Sequence, residues 1–137
     1  FSGWLCDRFG RVIPLATYYL LRGFSLFLVP FLDSTSLLYG FAILFGLNYI
    51  STVPPTTTIT ANTFGARSVG ELSGWVFFSH QIGAALGATL GGWMFDWMGS
   101  YSGAFVSAGI LGVIAAGLTL LIRDQPIAQV RAPVPAA

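Results

Sequence analysis

Apolar residues fall along this chain in four long runs separated by short polar punctuation, and none of the runs shows the strict alternation of a half-buried strand. The first covers about 12–31 and is closed by Asp33 and the hydroxyl residues Ser34, Thr35 and Ser36. The second covers about 37–61 and stops before Gly65, which is placed to end a helix in the left-handed conformation. The third covers about 69–97. Ser68 and Glu71 at its start have capping-box spacing, and Gly99 follows its end. The fourth covers about 103–122 and gives way to a polar, proline-bearing tail at 123–137. A membrane helix needs about 20 residues at a rise of about 1.5 Å each, so all four runs are long enough, and the third is long enough to tilt. Helices or closed barrels alone satisfy the backbone in lipid, and runs without two-residue alternation exclude a barrel. The pattern predicts an all-α, polytopic membrane protein with four transmembrane helices.

Composition strengthens this reading. Of 137 residues, 55% are hydrophobic and 8% charged, and the mean hydropathy is +0.76, whereas soluble domains carry about 25% charged residues. The six basic residues are all arginine and the net charge is +1, which excludes a nucleic-acid surface as partner. The single Cys6 forms no internal disulfide, sits in no metal-ligand pattern and fits a reducing compartment. With no phosphate loop or nucleophile constellation either, the sequence points to no enzyme, no cofactor and no metal. Arg8, Arg11, Arg67, Arg123 and Arg131 fall at alternate ends of the runs, and Asp33 and Asp96 at the others. The positive-inside rule therefore puts the opening segment, the Arg67 loop and the tail in the cytoplasm. Trp93, Trp97 and Tyr101 suit an aromatic belt at the opposite face.

The opening stretch Gly3-Trp4-Leu5-Cys6-Asp7-Arg8-Phe9-Gly10-Arg11 matches G-x-L-x-D-R-x-G-R and thereby resembles the cytoplasmic loop motif of the major facilitator superfamily. Val12 stands where that motif usually continues with a basic residue. Gly3 and Gly10 are expected to permit a tight turn, with Asp7 facing a helix N-terminus and Arg8 and Arg11 at the interface. In that family the motif falls between helices two and three and again between eight and nine. Four runs follow here, so the resemblance implies helices nine to twelve of a twelve-helix transporter, with about eight helices preceding Phe1 as partners within the same molecule. It also implies that Asp7, Arg8 and Arg11 act as a conformational latch against that missing part.

Four features are candidates for the site. Pro54 and Pro55 remove two amide donors from the second helix and predict a kink, with freed carbonyls satisfied by Thr52, Thr56, Thr57, another helix or water. Asn48 lies upstream on the same segment. On the third helix, Gly83, Gly87 and Gly91 repeat every four residues and predict close packing against a partner helix. His80 shares their face near mid-depth, with Gln81 beside it. The histidine either carries a proton or forms a hydrogen bond across a helix interface. Arg22 lies halfway through the first helix, where a charge costs at least about 2.5 kcal/mol, so it requires a partner. A helix outside this chain, backbone carbonyls or an anionic substrate all qualify. The resemblance favours a structural partner, because helix nine is peripheral in the superfamily.

Segment 70–105 is similar to bacterial relatives of the monocarboxylate and oxalate/formate transporters. That similarity implies a small organic anion moved with a proton by alternating access in the bacterial inner membrane, with Arg22, Asn48, His80 and Gln81 as the candidate substrate and proton pathway. A sugar or drug carrier of the same superfamily is the alternative within that class. The alternative outside it is a complete four-helix assembly subunit using its glycine stripe as an oligomer interface.

Overall fold

The computed structural model describes residues 2–123, all of them in helices, turns or short connections. The elements are α1 (Ser2–Phe9), α2 (Val12–Leu28), α3 (Thr35–Ser51), α4 (Val53–Phe64), α5 (Val69–Met98) and α6 (Ser102–Leu120). Short 3₁₀ turns at Val29–Phe31 and Ala66–Ser68 extend α2 and introduce α5. Residue 1 and 124–137, and with them Arg131 and nearly all of the expected tail, lie outside the described residues.

The opening motif is a helix rather than a loop. Gly3 lies inside α1 with open space beside it, and the turn belongs to Gly10, whose φ of +76° ends the helix. Cys6 is buried, Asp7 is exposed, and the Arg8 guanidinium stacks 5.6 Å from the Trp4 ring and 5.8 Å from Phe9. Helix α3 begins two residues before its apolar run because Ser34, in extended conformation, accepts a hydrogen bond from the Leu37 amide.

The expected capping box at the start of α5 is not formed. Residues 66–68 are already wound as 3₁₀, the Ser68 amide donates to the Gly65 carbonyl at 3.3 Å, and Ser68 has helical backbone angles with no side-chain cap. A cap needs an extended backbone at that position, so the 3₁₀ turn displaces it. Gly65 does adopt a positive φ, +86°, but with ψ of 154° it lies outside the left-handed helical region expected for it. Gly99 is the residue that takes the left-handed helical cap, closing α5 through an amide hydrogen bond to the Phe95 carbonyl.

Packing centres on α2 against α6. Tyr19 and Gly23 of α2 meet Gly112, and Phe27 meets Gly109, so the two helices run antiparallel. A Cβ on Gly112 would lie 2.8 Å from the Gly23 Cα, and one on Gly23 would lie 2.9 Å from the Gly109 carbonyl oxygen. The close glycine contact is therefore here and not on the α5 stripe. Gly83 and Gly87 have nothing within 4 Å, and Gly91 would meet only the Ala104 Cβ at 3.9 Å. Helix α5 buries none of its residues among the described residues.

The second apolar run breaks at Thr52, one residue before α4, and Pro54 and Pro55 occupy the first turn of α4, where missing amides cost least. Pro55 would otherwise have bonded the Ser51 carbonyl. That oxygen instead accepts a 2.8 Å hydrogen bond from the Ser2 hydroxyl of α1. Thr52, Thr56 and Thr57 each donate back to a carbonyl of their own segment, an arrangement that bends helices.

Among the described residues, three segments are long and apolar enough to cross a membrane: Val12–Phe31, Thr35–Phe64 and Ser102–Leu120. The expected fourth, α5, has the length at 30 residues. It falls short in apolarity because Ser79, His80 and Gln81 interrupt its middle and six glycines dilute the rest. Large apolar side chains face outward on every long helix, with Trp97 89% and Leu121 77% exposed. That surface is far beyond what a soluble monomer tolerates, which makes lipid or further protein its natural cover.

Candidate functional site

A cleft of about 500 Å³ opens between α2, the α3–α4 segment and α5. Its walls differ in chemistry, and each difference traces to a sequence choice. Helix α2 contributes Tyr19 and Arg22. The kinked segment contributes Tyr49 and, at four-residue spacing, Thr52, Thr56 and Thr60, which lie on one face of a helix. Helix α5 contributes Ser73, Phe77 and His80 at a spacing of three to four, again a single face.

Arg22 does not point away from the site as a peripheral helix would require. Its guanidinium lies 5.2 Å from the ring centre of Tyr49, 5.7 Å from Tyr19 and 5.9 Å from Phe45. Aromatic faces carry negative potential, so three of them offset part of the cost of holding a cation away from water. The only hydrogen bond the guanidinium makes among the described residues is a long one, 3.4 Å from Nη2 to the Asn48 carbonyl, and Nε is buried with no partner. Among the described residues no carboxylate lines the cleft.

His80 lies on the opposite wall. Its Nε2 shares a 2.9 Å hydrogen bond with the Tyr49 hydroxyl, the ring centres being 6.0 Å apart. A neutral imidazole accepts this bond from the phenol, and a protonated one donates to the phenolic oxygen, so the contact survives in either state. The bond crosses from α5 to α3, as one of the two expectations for this residue required.

The remaining candidates are distributed unevenly. Asn48 contributes its backbone carbonyl to Arg22, and its side-chain oxygen is buried without a partner. Gln81 is exposed and is not part of the cleft wall. Pro54 and Pro55 shape the kink behind the wall, with Pro55 fully buried. The latch residues Asp7, Arg8 and Arg11 and the stripe of Gly83, Gly87 and Gly91 lie elsewhere. Tyr49, which links the two walls, is absent from the sequence-derived set. A tyrosine in the interior of an apolar run is itself a signal, because its hydroxyl needs a polar partner when removed from water.

Comparison with known proteins is consistent with the helical organisation. A family model described as the Major Facilitator Superfamily matches residues 1–136. The "Uncharacterized MFS-type transporter YcxA" of Bacillus subtilis (strain 168) is 35% identical over 91 residues, which is 62% of this chain and 22% of that protein. The chain thus spans less than a quarter of the length of this relative. No solved structure matches the chain.

Proposed function

The chain belongs to the Major Facilitator Superfamily, and from that premise we propose that it is the C-terminal part of a twelve-helix secondary transporter that carries a small organic anion together with a proton. The observation that carries the proposal is the cleft in which Arg22 and His80 face one another across Tyr49. A guanidinium held by aromatic rings, with a buried unpartnered Nε and no carboxylate beside it, is suited to a carboxylate that arrives from outside. A histidine on the facing wall is suited to the co-transported proton. The kinked α3–α4 segment supports the same reading, since interrupted helices line transport pathways.

In this proposal α5 crosses the membrane as a fourth span. Its low apolarity is what a cleft-lining helix requires, and its 30 residues reach about 45 Å. The open stripe at Gly83 and Gly87 then meets a helix of the remaining transporter. The exposed Asp7, with Arg8 and Arg11, forms a cytoplasmic latch against that same part of a bacterial inner-membrane protein, and the arginine distribution supports a cytoplasmic side for α1 and the tail.

The test is uptake by the full-length protein in proteoliposomes, using acetate, lactate and benzoate with and without an inward proton gradient. Uptake driven by an acid exterior and abolished by Arg22→Gln is the expected result. Gradient-independent uptake of a sugar or a cationic drug would overturn the anion and proton assignment.

A further inference from the structure

Tyr49 contacts both functional groups of the cleft with different parts of one side chain. Its ring lies 5.2 Å from the Arg22 guanidinium, and its hydroxyl hydrogen-bonds His80 Nε2 at 2.9 Å. We infer that Tyr49 is a positioning residue that couples anion occupancy at Arg22 to protonation of His80 by holding the imidazole on the far side of its own ring from the guanidinium. The inference rests on the reading of the cleft as an anion site.

The physical basis is a charge balance. With Arg22 uncompensated, a second positive charge on His80 is opposed, and a bound carboxylate removes that opposition. Across a separation on the order of 10 Å at an effective dielectric of about 20, neutralising one charge alters a protonation equilibrium roughly tenfold. In water the same change is roughly twofold. The coupling therefore depends on the imidazole staying inside the cleft. His80 is otherwise exposed, and the Tyr49 hydroxyl is its hydrogen-bond partner there.

Few other groups compete. From α2 the ionisable neighbours in the cleft are Tyr19 and Arg22, and from α3 Tyr49. Helix α4 offers threonine hydroxyls, α6 contains no ionisable residue, and Glu71 of α5 lies more than two turns from His80.

In NMR of the full-length protein in lipid nanodiscs, the His80 imidazole resonance is assigned by its disappearance in His80→Gln. At pH 6.5, saturating sodium benzoate is expected to raise the ratio of protonated to neutral His80 about tenfold in the wild type. In Tyr49→Phe, which keeps the ring over Arg22 and removes the hydroxyl, the rise is expected to fall below about twofold. Arg22→Gln is expected to abolish it. An undiminished rise in Tyr49→Phe would overturn the positioning role. Benzoate binding to the wild type without any change at His80 would overturn the coupling while leaving the anion site standing. Absence of benzoate binding to the wild type would overturn both.

Discussion

The hydroxyl of Ser2 donates to the carbonyl of Ser51 at 2.8 Å, and that carbonyl is the one that Pro55 leaves without its helical amide. A residue at the start of α1 thereby completes the backbone of a kink some fifty positions later. The break beside the cleft depends on α1 for its polar balance, so the segment that resembles a cytoplasmic motif is also a structural support of the cleft wall.

Removing that donor leaves a carbonyl unpaired. Ser2→Ala is expected to cost about 1–3 kcal/mol of stability, read as loss of thermal or denaturant resistance in detergent. In a Pro55→Ala background the helical amide is restored, and Ser2→Ala is expected to cost less than about 0.5 kcal/mol. Equal costs in both backgrounds would show that the two residues act independently.

The α2–α6 seam predicts a contrast between glycines. Gly112→Ala must push backbone atoms apart from a 2.8 Å approach, and about 2–4 kcal/mol of destabilisation is expected, at or above the upper end of ordinary overpacking. In this chain, Gly87→Ala enters open space and is expected to be neutral or to stabilise α5 by up to about 1 kcal/mol through helix propensity. In the full-length transporter Gly87→Ala is expected to become destabilising, because the stripe then has a partner. Thermal melts of the two variants in both contexts check this.

Arg22→Lys retains the charge and loses the planar fork. If a carboxylate docks on the guanidinium, uptake by the full-length protein is expected to show a KM raised at least about tenfold, or about 1.4 kcal/mol, at normal expression. Unaltered KM would assign Arg22 to structural pairing with its aromatic neighbours alone.

His80→Gln keeps a hydrogen-bonding side chain and removes the titration. The pH dependence of uptake by the full-length protein is expected to flatten between about pH 5 and 8, the range in which histidine ordinarily changes charge. A pH profile that matches the wild type would leave His80 as a cross-helix hydrogen bond and nothing more.

Helix ends were legible in the sequence wherever one residue acts as punctuation. Gly99 closes α5, and the paired prolines put the break at Thr52. These are local effects, set by one side chain or one backbone angle. The misreadings concern choices among competing local options or distant partners. Ser68 has the right spacing for a cap, but the preceding 3₁₀ turn supplies a different backbone. The seam between the described helices uses Gly23, Gly109 and Gly112, whose partners come from opposite ends of the chain and which no single spacing marks. Arg22 and His80 announced themselves by their cost in an apolar run. Tyr49 did not, because among fifteen per cent aromatics its hydroxyl signals the need for a polar partner without saying which one.

Helix α5 is a rod of 30 residues with a positive-φ glycine just beyond each end, Gly65 before its introductory 3₁₀ turn and Gly99 after it, and with no buried residue along its length. Its register against α3 is marked by the bond from His80 to Tyr49. An axial slip of one turn, about 5.4 Å, would stretch a 2.9 Å bond past the range in which hydrogen bonds hold. The pair is in effect a vernier: intact, it certifies the position of the whole rod to within a single turn, and broken, it records that the rod has moved.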